Sequence, residues 1–358
     1  MKEKPNDHTI TIAGISVAPG QQAFIDLPAS PLYTRTPMSI PVHVVNGKQP
    51  GPRLFITSAV HGDELNGVEI IRRLLKLEEI NHIHGTLIAM PIVNIFGFIY
   101  RSRYLPDRRD LNRVFPGSKR GSMAARIARL IMQEVIQQCT HGIDIHTGAI
   151  HRRNLPQVRA NLNDPITYAM AKAFGVSVLV DGSVISGSLR SQAVESHVHT
   201  LLYEAGEALR MNEVPIRKGV RGVLGVMREI NMLPKVKKTK VTPEPFIAHA
   251  TAWLRADHAG LFVSSVGLGD EVDINQQVAI IADPISGQEF AIHALSKGII
   301  IGINKMPLVN EGDALLHIAE GRSVGDKEFL VEDTKEEMLD EDMEIDESME
   351  SSPSSGEL

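Results

Sequence analysis

Residues 55–64 read Phe-Ile-Thr-Ser-Ala-Val-His-Gly-Asp-Glu, an apolar run that ends at a histidine and two carboxylates. The run before His61 is typical of a buried strand, and the apolar residues that follow Glu64 recur with helical spacing. Gly62 permits a tight turn between the two elements. A strand, a turn and a helix in this order favour an α/β fold, in which ligands bind at the carboxyl ends of strands.

A second motif, Asp144-Ile145-His146-Thr147-Gly148, supplies another histidine at the end of an apolar stretch. His61 and Glu64 are three residues apart, so one helical turn presents both side chains on one side. Two imidazoles and one carboxylate suit Zn²⁺, and three protein ligands leave a fourth position open for water. His61, Glu64 and His146 are therefore candidate metal ligands, and the pattern favours metal-assisted hydrolysis with one Zn²⁺ per chain.

Length and composition limit the classes of protein that this chain can belong to. Its 358 residues are enough for one large domain and a small one, and 43% of them are hydrophobic. No apolar run approaches the roughly 18 residues that span a bilayer, and the N-terminus leads into no signal-like apolar region. Cys139 is the only cysteine, which excludes an intramolecular disulfide and a cysteine zinc cluster. We expect a cytoplasmic protein with no membrane segment.

The net charge of −6 is distributed unevenly along the chain. Residues 326–358 contain 14 acidic residues and two lysines, so the remaining residues sum to +6. We expect residues 321–358 to form an acidic, disordered tail, and one hypothesis is that this tail folds back over a cationic site. The basic stretch at 235–240 lacks interleaved aromatic residues, so a linker or edge strand is favoured over nucleic-acid binding.

Strand and helix patterns alternate from about residue 51 to residue 235. This alternation predicts a mixed, mostly parallel sheet with helices on both faces. The clearest predicted strands are 53–60, 86–93 and 141–146, and the clearest helices are 66–77 and 122–138. Residues 1–50 are expected to form short strands, and together with the alternating elements they make up a predicted domain over residues 1–242.

Residues 243–320 change in character, with short β-rich runs and Gly-rich turns. Paired Gly-Asp turns at Gly269-Asp270 and Gly312-Asp313 resemble the two halves of a biotinyl/lipoyl-type β-sandwich. The segment that would carry the modified lysine in such a domain, 283–287, contains no lysine. We therefore predict a smaller, all-β C-terminal domain without a carrier role.

A basic, Pro-interrupted segment lies between the candidate metal ligands, at residues 101–117. Leu111, Val114 and Phe115 would anchor this segment and aim Asn112 and Arg113 in the same direction. A guanidinium fork beside an amide is suited to binding a carboxylate. Asn112 and Arg113 are thus candidate substrate-binding residues.

Four ordered motifs together resemble the succinylglutamate desuccinylase/aspartoacylase family of the zinc carboxypeptidase clan. They are His61-x-x-Glu64, Asp110-Leu-Asn-Arg-x-Phe-Pro-Gly117, Asp144-x-His146-Thr147 and Leu202-Tyr-Glu-Ala-Gly206. The resemblance covers roughly residues 40–320. It implies that His61, Glu64 and His146 bind zinc and that Glu204 is the general base, while Asp144 orients a ligand imidazole. Glu204 also follows a strand-like run, where burial and the metal would tune its proton affinity.

The resemblance also suggests roles for arginines. Arg103 resembles the arginine that polarises the scissile carbonyl, with Arg101, Arg108 and Arg109 as alternatives, because two extra residues separate Arg103 from Asn112. Asn112 and Arg113 resemble the pair that binds the substrate α-carboxylate. Arg190 is favoured for a second acidic group. The remaining candidates for that group are expected in a loop after His146: Arg153, Asn154 and Arg159.

One departure concerns the tyrosine that aspartoacylases contribute from their C-terminal domain, since residues 243–320 contain no tyrosine. We therefore expect a zinc-dependent amidohydrolase that removes an acyl group from a small N-acyl amino acid whose identity stays open. A zinc carboxypeptidase acting on small peptides or cell-wall fragments is the alternative. A non-enzymatic metal-binding scaffold and a homo-oligomeric state are also left open.

Overall fold

The computed structural model describes residues 8–182, 184–236 and 244–322 of the chain. Residues 323–358 of the predicted acidic tail and most of the basic stretch at 235–240 lie outside these residues, whereas Gly321 and Arg322 belong to the last strand and not to a tail. Among the helices that the structure describes, none has the length and apolar character needed to cross a membrane.

The described residues form strands and helices in an order that alternates from β5 to α6 and is all-β afterwards. The strands are β1 Ile10–Ile12, β2 Ile15–Val17, β3 Gln22–Pro28, β4 Ser39–Asn46, β5 Gln49–Ser58, β6 His84–Met90, β7 His141–Gly148, β8 Arg152–Ala160, β9 Val178–Asp181, β10 His199–Glu207, β11 Phe246–Arg255, β12 Gly260–Ser264, β13 Glu271–Val272, β14 Gln277–Ala282, β15 Glu289–His293, β16 Gly298–Asn304, β17 Leu308–Val309 and β18 Ala314–Arg322. The helices are α1 Asn66–Leu74, α2 Ile95–Tyr100, α3 Met123–Glu134, α4 Pro165–Phe174, α5 Leu189–Glu195 and α6 Glu213–Glu229, with 3₁₀ turns at Glu78–His82, Leu111–Arg113 and Ile136–Gln138.

The main sheet is mixed, with the strand order β13-β16-β18-β11-β9-β8-β10-β7-β5-β6-β4-β3. Its centre is parallel, from β10 through β7 and β5 to β6. The flanks are largely antiparallel, since β3 and β4 fold back as a hairpin and β16 and β18 return in opposite directions. The prediction of a mostly parallel sheet is therefore wrong for the sheet as a whole, although it holds for the strands that carry the metal-ligand motifs.

Helices cover both faces of the central strands, as predicted. Residues of α3 and α5, including Ile127 and Leu189, pack in one buried cluster. Residues of α1, α4 and α6, including Ile70 and Phe174, pack in a second cluster on the other face. The two apolar layers hold the carboxyl ends of β5 and β7 in fixed positions.

Five strands of the main sheet close on themselves into a small barrel. In addition to its place beside β18, β16 pairs with β8, so that the ring runs β8-β9-β11-β18-β16 and returns to β8. The barrel interior is filled by apolar side chains from all five strands: Leu155, Val178, Val180, Phe246, Ala248, Ile299, Ile301 and Ala319. The ring joins the C-terminal strands to the strands of the α/β region through continuous hydrogen bonding.

The C-terminal region is all-β, as predicted. A second sheet, β15-β14-β12-β17, packs over a separate apolar cluster that includes Phe262, Ile281 and Leu315. The other C-terminal strands belong to the main sheet, so this region is a sandwich that shares one layer with the α/β part. The division into domains at residues 242 and 243 stays a prediction.

Candidate active site

His61 and Glu64 lie in a turn between β5 and α1, which we call the metal turn. The backbone leaves β5 through Ala59, whose φ of +48° lies in the left-handed region. Within the turn, the Glu64 amide donates to the His61 carbonyl. A Cβ on Gly62 would lie 1.9 Å from the Gly97 carbonyl carbon, so glycine is required there by the close approach of α2. The predicted turn exists, but Ala59 and not Gly62 has the left-handed backbone conformation.

Two imidazoles converge on the Glu64 carboxylate, and all three groups are buried. His61 Nδ1 lies 2.7 Å from Glu64 Oε1, and His146 Nδ1 lies 2.7 Å from Glu64 Oε2. One donor atom from each residue falls within 4.8 Å of the others. His146 reaches this point from β7, which is paired with β5 and therefore ends at the same edge of the sheet.

A carboxylate binds the remote nitrogen of each imidazole. His61 Nε2 lies 3.2 Å from Asp110 Oδ1, and His146 Nε2 lies 2.9 Å from Asp144 Oδ2. Thr57 donates to the other Asp144 oxygen, which fixes that carboxylate. Histidines that bind metals typically have such partners, which set the tautomer so that the opposite nitrogen is free to coordinate. The Asp144 contact is the one that the spacing of the motif predicted, whereas the Asp110 contact was not predicted.

These contacts shift the proton affinities of the buried groups. Burial raises the pKa of Glu64, but the adjacent His61 and His146 outweigh burial and hold the pKa well below its usual range. Burial lowers the pKa of His146, yet Asp144 and Glu64 raise it well above its ordinary value. The two shifts have one origin, since the Glu64 carboxylate and the His146 imidazole lie close enough to stabilise each other's charge.

The donor set fits zinc. Two neutral imidazole nitrogens and one carboxylate oxygen form a borderline-to-hard ligand set, and each imidazole has an acceptor on its far side. The structure thus brings together all three predicted ligands as a group that could hold a metal ion.

Glu204 lies beside this group on β10. It is paired in register with His146 on the parallel strand β7, and its side chain lines the same cavity. Asn154 donates to Glu204 Oε1 at 2.8 Å, and Arg159 Nε lies 2.9 Å from Oε2. These contacts hold a carboxylate in a fixed orientation next to the candidate metal ligands.

Arg103 is the arginine nearest to the metal turn among the four candidates. Its Nε and Nη2 both donate to Asp110 Oδ2, and its Nη1 lies 3.2 Å from His61 Nδ1. The alternatives Arg101, Arg108 and Arg109 are exposed and do not line the cavity. The structure therefore favours Arg103 over the other three.

Asn112 and Arg113 line the cavity from the 3₁₀ turn at Leu111–Arg113. Leu111 and Phe115 are buried, as predicted for anchors, and Val114 is half-buried. Asn112 Oδ1 accepts from the Leu189 amide, and this contact leaves the Asn112 amide nitrogen available. The local segment thus presents one amide and one guanidinium to the cavity.

Arg190 and Arg159 both line the cavity, but they come from different elements. Burial, together with the charge of Arg159, lowers the pKa of Arg190 to about 10. Arg153, Asn154 and Arg159 belong to strand β8 and not to a loop, so that prediction is wrong. The strand was not recognised because its pairing partners are distant in sequence.

Three further cavity residues, which we call the barrel rim, were missed by the sequence analysis: Arg152, Trp253 and His317. His317 stacks on Trp253, with ring centroids 4.4 Å apart and planes 10° from parallel. The Arg152 guanidinium lies 5.2 Å from the Trp253 ring centroid. The lone tryptophan of the chain is the only sequence signal that could have indicated them.

The whole cavity has a volume of about 330 Å³ and is open to solvent on one side. Apart from the candidate ligand Glu64, Glu204 is the only carboxylate among its described lining residues, whereas five arginines line it. The cavity thus combines a candidate metal-ligand triad, a fixed carboxylate and several guanidinium groups. This combination is suited to the hydrolysis of a small anionic substrate.

Comparisons with known proteins agree with this geometry. Residues 50–230 match the succinylglutamate desuccinylase/aspartoacylase catalytic domain. The chain is 25% identical over 320 residues to N-alpha-acetyl-L-2,4-diaminobutyric acid deacetylase from Halomonas elongata, covering 84% of this chain and 91% of that protein.

Two solved structures share the fold. A succinylglutamate desuccinylase/aspartoacylase from Rhodobacter sphaeroides superimposes with a TM-score of 0.75 at 24% identity, covering 84% of this chain and 96% of that one. The product-bound ectoine utilization protein EutE (DoeB) from Ruegeria pomeroyi gives a TM-score of 0.75 at 22% identity, covering 83% and 94%.

Proposed function

The chain belongs to the succinylglutamate desuccinylase/aspartoacylase family, and on that premise we propose that it is a zinc-dependent amidohydrolase that removes the acyl group from a small N-acyl amino acid. The observation that carries the proposal is the buried His61–Glu64–His146 group with Glu204 beside it. The deacetylase from Halomonas elongata, named for an N-acetyl amino acid substrate, supports the reaction class. Membership of the zinc carboxypeptidase clan and a cytoplasmic location are parts of the same proposal.

In this mechanism His61, Glu64 and His146 would hold Zn²⁺, and the bound ion would polarise the scissile carbonyl and acidify a water molecule. Glu204 takes a proton from the attacking water and passes it to the nitrogen of the leaving amine. Its contacts with Asn154 and Arg159 keep the carboxylate oriented for the first of these transfers.

Substrate binding uses the cationic groups of the cavity. Asn112 and Arg113 hold the α-carboxylate through an amide and a guanidinium. Arg103, fixed by Asp110, donates to the carbonyl oxygen as negative charge develops on it. Arg190 and Arg159 add positive charge for a second acidic group of the substrate.

The direct test is amine release by the zinc-loaded protein from a panel of N-acetyl, N-succinyl and N-formyl amino acids, with dipeptides included. We expect hydrolysis of at least one N-acyl amino acid. Cleavage of dipeptides alone would instead identify a carboxypeptidase, and no hydrolysis of any compound would contradict the proposal.

The role of Glu204 is tested by Glu204→Gln, with Glu207→Gln as the matched control, because Glu207 lies on the same strand but does not line the cavity. We expect Glu204→Gln to retain zinc and to lose about 10²–10⁴-fold in turnover, as for removal of a general base. Near-normal turnover in Glu204→Gln would refute the role.

A further inference from the structure

Strand β10 has a bulge directly after Glu204. It is paired in register with β7 up to Glu204 and His146, whereas the next pair is Glu207 and Gly148. β10 therefore advances three residues in the interval in which β7 advances two. Gly206 lies within the bulge and has a φ of +76°, in the left-handed region that glycine adopts without strain. Bulges re-aim the side chains beside them, and Glu204 immediately precedes this one.

Two buried asparagines, which we call the asparagine clasp, bind this bulge. Asn66 Nδ2 donates to the Ala205 carbonyl at 3.3 Å, and Asn212 Oδ1 accepts from the Glu207 amide at 3.1 Å. Asn66 Nδ2 also donates to Asn212 Oδ1 at 3.3 Å, and the Asn212 amide donates to Asn66 Oδ1 at 3.0 Å. The clasp thus binds the backbone on both sides of Gly206, and its two members bind each other.

The clasp is packed directly against the bulge. A Cβ on Gly206 would lie 2.5 Å from Asn212 Oδ1 and 2.5 Å from Asn66 Nδ2. Any other residue in this place would displace the two amides, so the bulge and the clasp fit only with glycine between them.

Asn212 makes these contacts in place of a helix cap. It occupies the N-cap position of α6, where asparagine is favoured because its side-chain oxygen can accept from the first helical amides. Within the described residues, its side chain makes no such bond with α6. A capping bond contributes about 1 kcal/mol, and here the oxygen that would form it binds β10 instead.

The clasp also joins the bulge to the metal turn. Asn66 is the first residue of α1 and follows the candidate ligand Glu64 closely in sequence. A second link is made by the backbone, since the Leu209 amide donates to the Asp63 carbonyl at 2.8 Å. The two links flank Glu64, so the segment that follows Glu204 is attached to the turn on both sides of this ligand.

Neither asparagine is among the described residues that line the cavity, whereas Glu64 and Glu204 both line it. The clasp therefore does not contact a substrate in the cleft. Its effect is on the position of Glu204 relative to Glu64, because it fixes the strand that carries the first carboxylate to the helix that follows the second.

We propose that Asn66 and Asn212 are positioning residues for Glu204, and that they hold the bulge in the shape that directs this carboxylate towards the candidate metal ligands. The inference rests on the proposed function, in which Glu204 is the general base. Without the clasp the bulge relaxes towards a regular strand, and a shift of one residue turns the side chains of a strand to the opposite face.

The test begins with Asn212→Ala, measured as kcat and KM of the zinc-loaded, full-length protein on the N-acyl amino acid that the wild type hydrolyses best. We expect kcat to fall about 10–100-fold, since a displacement of 1 Å from outside the reacting groups has effects of this size. KM and zinc content should not change, because the clasp contacts neither the cavity nor the metal ligands.

Two further variants examine the same clasp. Asn212→Asp keeps the oxygen that accepts from the Glu207 amide and should recover most of the lost kcat. Asn66→Ala removes the donor to the Ala205 carbonyl and should lower kcat as Asn212→Ala does, and it replaces that variant if Asn212→Ala does not fold.

Asn46→Ala is the matched control. Asn46 is also a buried asparagine that donates to a backbone carbonyl, that of Val17, but it lies on β4 and does not line the cavity. This control should lower the free energy of unfolding, as Asn212→Ala does, and leave kcat unchanged.

Combination with Glu204→Gln separates positioning from general damage to the cleft. In a protein that already lacks the base, Asn212→Ala should lower kcat no further, because the clasp acts through Glu204. A clasp that shapes the whole cleft would instead lower kcat by the same factor with and without Glu204.

Amide hydrogen exchange provides a measurement that does not depend on turnover. The Glu207 amide should exchange faster in Asn212→Ala than in the wild type, and Asn212→Asp should restore its protection. Asn46→Ala should not change the exchange of this amide.

The outcomes distinguish this inference from the proposed function. If the wild type hydrolyses an N-acyl amino acid but Asn212→Ala keeps the wild-type kcat or unchanged exchange at Glu207, the inference is wrong and the proposed function stands. The same holds if Asn212→Ala lowers kcat equally in the Glu204→Gln background. If the wild type hydrolyses no N-acyl amino acid, both are wrong.

Discussion

The metal turn and the barrel rim face the same cavity, but they are built in opposite ways. The metal turn takes two ligands from four consecutive residues, and its geometry follows from one strand end and one helix start. The barrel rim takes one residue each from β8, β11 and β18, which are brought together only by long-range pairing. The metal turn is therefore encoded by local sequence, whereas the barrel rim depends on the whole fold.

The strongest test of this contrast is the metal turn itself. In Glu64→Gln, a neutral amide replaces the carboxylate that both imidazoles face, so we expect loss of bound zinc. Turnover should fall further in this variant than in Glu204→Gln, for which a loss of about 10²–10⁴-fold is expected. Metal content by elemental analysis, alongside turnover, checks this result.

Chelation of the wild type is the companion experiment. Activity should disappear and return on addition of Zn²⁺, while Glu64→Gln should not recover. Full activity in a metal-free sample would show that the turn is not a metal site.

Asp110→Asn should have the next largest effect. Asp110 holds His61 on one oxygen and Arg103 on the other, so its charge supports both groups. We expect metal affinity to fall about 10–100-fold, as for other partners of metal-binding histidines. Competition with a chromogenic chelator measures the affinity, with Asp273→Asn as the control because Asp273 is an exposed residue of the C-terminal region.

His317 in the barrel rim is predicted to lower the free energy of unfolding as the pH falls below 6.5. Since burial and the charges of Arg159 and Arg152 lower the pKa of His317 to about 3, the unfolded chain binds a proton more readily than the folded protein below pH 6.5. The resulting loss of folding free energy is absent above pH 6.5. It grows as the pH falls towards 3 and reaches about 2 kcal/mol at pH 5.

Denaturant unfolding at pH 7 and pH 5 tests this prediction. His317→Gln should lose less stability between the two pH values than the wild type does. His82→Gln, at an exposed histidine, should behave like the wild type. Equal losses in the wild type and His317→Gln would contradict the prediction.

Gly302→Ala should have the smallest effect. The added methyl group would meet the Asn154 amide oxygen and shift the contact that Asn154 makes with Glu204. We expect kcat/KM to fall about tenfold while zinc is retained. Gly267→Ala serves as the control, because its Cβ would meet only Asp270 Oδ2, at 3.7 Å.

Sequence patterns were informative where the structure is local. The strand before His61, the amphipathic α1 and the ligands themselves follow from periodicity and from spacings of two or three residues. The anchoring of Asn112 by Leu111 and Phe115 was also predictable, because all three lie in one short segment.

The parts of the fold and of the candidate site that the sequence did not predict depend on contacts between distant segments. Strand β8 looks like a basic loop in sequence, and it becomes a strand because β9, β10 and β16 pair with it. The antiparallel flanks of the main sheet arise from the same kind of pairing. His317 and Trp253 carry no motif, since stacking across two strands leaves no fixed spacing in the sequence.

The closed barrel also determines when the cleft is completed during synthesis. About 140 residues separate the end of β8 from the start of β16, which closes the ring. At about 5–20 residues per second, translation of this interval takes roughly 7–28 s. During that time the nascent chain already contains every candidate metal ligand, yet β8 lacks β16, the last of its three partners. Residues Arg152–Asn154 then form an open edge that can pair with other chains. Ribosome-bound chains arrested before residue 298 should therefore bind zinc without hydrolysing substrate, whereas released full-length chains should do both.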